Sequence, residues 1–171
     1  MGGRRRHRRH EGDGRRSAAA RAGASGALAS EFGRYVICPR LSLCRLPRLT
    51  SVNGALSIDL AGQVAADAIG GRQYSGAGGH ESFVSGAVAA PEGRSFLCLK
   101  STAKVGGTRV STIVPAFAGG TRVTKPRHHV QYVVTEYGAV DLAVLSDVER
   151  PHALIELAHP DFRETLRAAL P

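Results

Sequence analysis

An α/β fold is predicted for most of this 171-residue chain, and three observations predict it. Short apolar runs of strand length recur between glycine-rich turns, six glycines between Gly70 and Gly86 lead into a helical stretch, and two helical segments close the chain. The length suits one domain of the usual ~100–150 residues with something left over. With 43% apolar residues, a packed core is available.

The body begins near Leu46. Ala55 to Leu60 (ALSIDL) alternates apolar and polar residues as a half-buried strand does, and Gly62 marks a hairpin or tight corner before Gln63 and Val64. The glycine cluster follows, with a helix expected from about Glu81. Ser95 to Leu99 (SFLCL) and Val130 to Thr135 (VQYVVT) read as buried strands, the second rich in β-branched residues. Between them Ser111 to Pro115 and Thr121 to Pro126 read as shorter strands around the Gly119–Gly120 turn. Asp147 to Ala158 is a helix capped by Asp147 or Ser146, with Pro151 tolerated near its start and Pro160 ending it. Asp161 to Leu170 is an amphipathic helix with Phe162, Leu166 and Leu170 on one face.

Charge separates this body from what precedes it. The net charge of +9 resides entirely in residues 1–48, where twelve Arg face only Glu11, Asp13 and Glu31; beyond them eleven Lys or Arg balance eleven Asp or Glu. The Arg-, Gly- and Ala-rich opening has too few large apolar residues to offset its chain entropy, so residues 1–45 are expected to be a disordered basic tail. Three readings of it stand open: a phosphate-binding arm, a mitochondrial or plastid transit peptide, or upstream sequence joined to the domain by a wrong start or frame change. No stretch approaches the ~18 apolar residues of a spanning helix, so no membrane is expected. Nucleic-acid binding would rest on the tail alone and is not expected of the domain.

Glycines ahead of a helix let the backbone approach a ligand, and the free N–H groups there suit an anion or a developing oxyanion. The same glycines can equally make a tight turn. The spacing is not that of a dinucleotide fingerprint, and no acidic residue is placed for a ribose. His80 reads as a polar loop group in preference to a general base, and Cys98 as an inert core thiol. His128 and His129 lack Cys or carboxylate neighbours in sequence, and the three cysteines form no CxxC pair, so no metal is expected. His159 reads as a helix-end residue interacting with terminal carbonyls.

Four segments, SVNGALSIDLAGQV (51–64), IGGRQYSGAGGHESFVSGA (69–87), VVTEYGAVDL (133–142) and ALIELAHPDFRETL (153–166), together resemble the C-terminal domain of acetyl-CoA hydrolase/transferase enzymes, 4-hydroxybutyrate CoA-transferases among them. The resemblance covers residues 46–171. It implies an open-sheet CoA-transferase-like α/β domain that pairs with a similar N-terminal half, or assembles as a homo-oligomer. It implies acyl-CoA and a small carboxylate as substrates, coenzyme A being substrate with no separate cofactor, and a cytoplasmic location, or a mitochondrial one if the arginine-rich start is a transit peptide. Gly76, Gly78 and Gly79 would form the oxyanion or CoA loop, and Asn53, Gln73 and Glu136 would contact substrate or CoA. His80 and Ser82 stand where the family tends to carry Gln and Asp. The nucleophilic glutamate of the family belongs to a segment preceding the matched part, and Glu11 and Glu31 are no substitutes for it. No catalytic residue is therefore expected in this chain, which alone should not turn over. A non-catalytic interaction module retaining the fold is the alternative.

Overall fold

The computed structural model describes residues 42–69, 71–76 and 78–170. The arginine-rich stretch for which disorder is expected lies outside these residues up to position 41. Among the described residues no helix is long and apolar enough to cross a membrane.

The central sheet has four strands in the order β1 (Thr50–Gly54), β6 (Arg94–Cys98), β10 (Tyr132–Thr135) and β11 (Gly138–Asp141). The first three run parallel, with Val52 beside Phe96 and Phe96 beside Tyr132; β11 returns antiparallel, with Tyr132 beside Asp141. The helix α1 (His80–Ala89) makes the crossover from β1 to β6. Side chains alternate across a strand. Ser51, Ser95, Leu97 and Val133 therefore lie buried under α1, whereas Val52, Phe96 and Tyr132 occupy the other face. Ser51 Oγ donates to Ser95 Oγ at 3.0 Å, satisfying two hydroxyls beneath the helix. Leu43 is 2% exposed and packs on Gly86 of α1, so the packed body starts at least three residues ahead of Leu46.

A second sheet pairs β3 (Val64–Ala65), β2 (Ser57–Asp59) and β9 (Ile113–Val114), with Ile58 beside Ile113 and both wholly buried. Each such side chain contributes about 1.5–3 kcal/mol of burial. The expected hairpin after Leu60 is present: the buried carboxylate of Asp59 accepts from Gln63 N and Gln63 Nε2, each at 2.8 Å. Two small hairpins complete the strands, β4 (Ala68–Ile69) with β5 (Arg72–Gln73), and β7 (Thr102–Val105) with β8 (Thr108–Ser111). The segment 121–126 contributes only a bridge between Lys125 and Val64 where a short strand is expected.

The two closing helices, α2 (Glu149–Glu156) and α3 (Pro160–Ala168), bring Leu154, Ile155 and Leu166 into the core. Ser146 starts α2 through a capping box: its N–H and Oγ donate to Glu149 Oε2 at 2.9 and 2.7 Å. Two expectations change here. Pro160 does not end α2, which stops at Glu156; it is the first residue of α3, where its missing N–H would be unpaired in any case. His159 does not meet terminal carbonyls. It caps α3, its Nδ1 accepting from Asp161 N at 3.2 Å, while Arg163 supplies the carbonyls of Glu156 and Ala158.

Candidate functional site

Parallel strands joined by a crossover helix place their carboxyl ends and the helix N-terminus at one edge, where open α/β sheets bind ligands. Here that edge carries Asn53 and Gly54 at the end of β1, Leu99 and Lys100 after β6, Glu136 after β10, and Gly78, Gly79 and His80 at the start of α1. Gly78 adopts φ +52°, and the peptide N–H groups of Gly78 and Gly79 have no partner among the described residues. A side chain at position 79 would meet the Phe83 ring at 3.1 Å. The expected oxyanion loop thus has bare amides directly before the helix, with Gly76 exposed just ahead of them.

Asn53 Nδ2 is buried and finds no partner among the described residues, and the same holds for both ring nitrogens of His80. The Gly54 carbonyl faces that ring outside hydrogen-bonding geometry. Burial, and then the charge of Lys125, lower the His80 pKa, so the imidazole is neutral at neutral pH. Unsatisfied buried polar atoms are few in folded proteins, and three of them on two residues flanking Gly54 set this corner apart.

Gln73 lies in the same loop region, but its amide is already engaged. It donates to Asp67 Oδ2 at 2.9 Å and to the Ser75 carbonyl at 2.5 Å, and accepts from Arg122. Asp67 is the organiser: its carboxylate also accepts from Thr124 Oγ1 at 2.6 Å, and its carbonyl from Tyr74 and Ser75 N–H. The hydrogen bond from Thr124, opposed by burial and aided by Gln73, holds the Asp67 carboxyl below its ordinary value.

Sequence reasoning passes over what anchors α1. Lys125 is wholly buried and donates to the Glu81 carboxylate, to Ser85 Oγ at 3.0 Å and to the Glu81 carbonyl at 3.2 Å. His129 Nδ1 lies 3.5 Å from Glu81 Oε1, so the carboxylate partner that its sequence surroundings lack comes from α1. Glu81 and Ser85, four apart on the helix, are the one local trace of this cluster.

Glu136 stands apart from the Asn53 corner, two strands across the sheet and so roughly 10 Å away. Its carboxylate accepts from Ser101 N and Oγ at 2.9 and 2.7 Å, and those bonds lower its pKa. It borders a depression of about 370 Å³ with Cys98, Lys100 and Val134. Cys98 is half-buried on the face away from α1 and not a core thiol, because the alternation that buries Ser95 and Leu97 turns Phe96 and Cys98 outward. Among the described residues no three His, Cys, Asp or Glu side chains converge as metal ligands.

Comparison with known proteins gives this edge its context. Residues 28–170 match the family described as acetyl-CoA hydrolase/transferase C-terminal domain. Butyryl-CoA:acetate CoA-transferase of Anaerostipes caccae is 45% identical over 117 residues, 68% of this chain and 26% of that protein. The 4-hydroxybutyrate coenzyme A transferase of Clostridium kluyveri is 41% identical over 132 residues, 77% of this chain and 30% of that protein. The crystal structure of RipA from Yersinia pestis superposes with a TM-score of 0.65 at 40% identity, covering 77% of this chain and 27% of that one. The chain thus spans between 26% and 30% of the length of these proteins.

Proposed function

Since the chain belongs to the acetyl-CoA hydrolase/transferase family through its C-terminal domain, we propose that it forms the acyl-CoA-holding side of an acyl-CoA:carboxylate CoA-transferase. The observation that carries this reading is the corner where the unpartnered Asn53 amide adjoins the bare N–H groups of Gly78 and Gly79. Donors fixed in advance around a developing oxyanion are worth more than donors that must reorient in water. Coenzyme A is a substrate here, and no further cofactor is proposed.

In the reaction, a glutamate carboxylate oxygen adds to the thioester carbonyl, the oxyanion rests on the glycine amides, and the C–S bond breaks to release the CoA thiolate and leave an acyl anhydride. The thiolate then attacks the glutamyl carbonyl of the anhydride, freeing the acyl carboxylate and leaving glutamyl-CoA. An incoming carboxylate runs these steps in reverse. Two easier acyl transfers thereby replace one hard exchange. The glutamate is supplied by the N-terminal half of the enzyme. Asn53 orients the thioester, Glu136 serves on the CoA side or holds Ser101, and Gln73 holds the loop. The proposed location is cytoplasmic.

Isothermal titration of CoA and acetyl-CoA into the full chain, with a transferase assay on the same sample, tests this. Binding without turnover is the expected result. A folded sample that binds neither would overturn the reading, and turnover would place the nucleophile within these residues.

A second reading, an interaction module that pairs with an intact relative, is favoured by the sheet face opposite α1. There Val52, Phe96 and Tyr132 form an apolar row with Val52 68% exposed. Sedimentation of the chain with an intact relative decides it, a mixed complex being expected.

A further inference from the structure

The wholly buried ammonium of Lys125 lies against the first turn of α1, outside the set of groups that meet the thioester. We propose that Lys125 is a positioning residue for the thioester carbonyl, fixing α1 through Glu81 and Ser85 and placing an unscreened positive charge behind the amides of Gly78 and Gly79. The role assigned to Lys125 rests on the transferase reading and adds to it a residue that never touches the ligand.

Stability alone gives this position little reason to be lysine. The N-terminus of a helix is the positive end of the backbone dipole, which repels a cation and favours a carboxylate. A buried ion pair also adds little to stability against apolar side chains of the same size. The pair is unequally screened as well. Lys125 is 0% exposed and Glu81 49%, so water damps the carboxylate and leaves the ammonium undamped. Glu81 is further shared, since Ser85 Oγ donates to Glu81 Oε1 and His129 Nδ1 lies 3.5 Å from the same oxygen. A net positive potential thus remains within the first turn of α1.

That potential reaches the glycine corner. Gly78 and Gly79 precede Glu81 by less than one helical turn, and Lys125 Nζ donates to the Glu81 carbonyl at 3.2 Å and to Ser85 Oγ at 3.0 Å. The Lys125 backbone is tied in turn to Val64 of the second sheet, N–H to carbonyl in both directions at 3.0 Å, so the anchor does not move with the loop. His80, the first residue of α1 and the neighbour of Gly79, registers the charge. Its pKa is lowered by burial and next by Lys125, while Glu81 and Asp67 act in the opposite sense and less strongly. Fixed donors with a positive charge behind them suit a developing oxyanion better than a neutral carbonyl, which is the direction a transferase requires.

The experiment compares the full chain with Lys125→Met and Lys125→Gln. Glutamine keeps a hydrogen-bond donor without the charge, and either variant that folds carries the test. The titration of the His80 imidazole is followed by NMR, its signal identified by its loss in His80→Gln, and CoA and acetyl-CoA are titrated into each protein. Both substitutions should raise the His80 pKa, and should lower the preference for acetyl-CoA over CoA by about threefold or more. A lysine with a purely structural role would be rescued by glutamine, leaving both readouts of Lys125→Gln at the parent value. An unmoved His80 titration, or a raised one with an unchanged preference for acetyl-CoA, overturns the role of Lys125, as does the failure of both variants to fold. If the parent binds neither ligand, the transferase reading falls and takes the thioester role with it; a His80 titration still moved by the substitutions then separates that failure from an absent charge effect.

Discussion

The ammonium group of Lys125, 0% exposed, pairs with the carboxylate of Glu81, a side chain that is 49% exposed. The two partners are therefore unequal. Without Lys125, the Glu81 carboxylate can turn to water. Without the Glu81 charge, the buried Lys125 ammonium loses the carboxylate it is paired with. Glu81→Gln is expected to destabilise the fold by about 3 kcal/mol, the scale of an uncompensated buried charge, and Lys125→Met by clearly less. Urea unfolding of both variants checks the order, and equal losses would contradict it. Burial raises the Glu81 pKa, but the hydrogen bonds from Lys125 and Ser85 outweigh it and leave the group below its ordinary value. Stability from this pair is present above the unfolded carboxyl value near ~4.3 and is lost as pH falls through the lower folded value. In Glu81→Gln that acid-side loss should shrink.

His80 behaves in the opposite chemical sense but over its own window. Its pKa is lowered by burial and by the Lys125 charge, so the unfolded chain takes up a proton more readily than the folded one. Stability should therefore fall as pH drops below the unfolded histidine value of ~6.5. His80→Gln removes the titrating group while keeping a polar side chain. The expected outcome is a flatter melting temperature between about pH 5 and 7 for the variant than for the parent. Parallel profiles would show that His80 is not the group responsible.

A third expectation concerns the turn between α1 and β6. A Cβ on Gly93 would lie 2.0 Å from the Ala87 carbonyl oxygen and 2.9 Å from the Ala90 side chain, so the backbone itself would have to move. Gly93→Ala should cost about 1–3 kcal/mol, the range for overpacking, even though alanine adds a single carbon. Thermal unfolding measures it. Gly54, whose added Cβ would meet nothing within 4 Å, is the control, and Gly54→Ala should be tolerated.

What the sequence discloses follows from how local each signal is. The strands β2, β6 and β10 and the helices α2 and α3 carry their period or caps within a few residues, and all five lie where the pattern places them. The β7–β8 hairpin has little apolar alternation, yet Gly106 and Gly107, both with positive φ, form the two-residue turn that marks such hairpins. That signal is legible and outweighed only when apolar runs alone are followed. The β1 strand is short and half polar, so its pattern is weak. No window of sequence connects Lys125 to Glu81, 44 residues away, or Thr124 to Asp67, 57 away. The glycine loop was local and readable; the polar clusters that fix it are products of the tertiary fold.

The outer face of the central sheet supplies the last prediction. Phe96 and Tyr132 stack with ring centroids 4.8 Å apart, and Val52 continues their row onto the edge strand, where 68% of it is exposed. No described helix packs over this row. Apolar surface of that kind, contiguous and on a strand that is the edge of its sheet among the described residues, favours association. The chain should sediment as a concentration-dependent mixture of monomer and larger species. Val52→Lys places a charge on the edge strand without touching the core, and should weaken self-association by about tenfold or more, the equivalent of burying one valine. Its unfolding midpoint should match that of the parent, because the side chain it replaces is largely solvated. A wild-type chain that stays monomeric across the accessible concentrations would show that this face is content with water, and would remove the observation that favours the interaction-module reading.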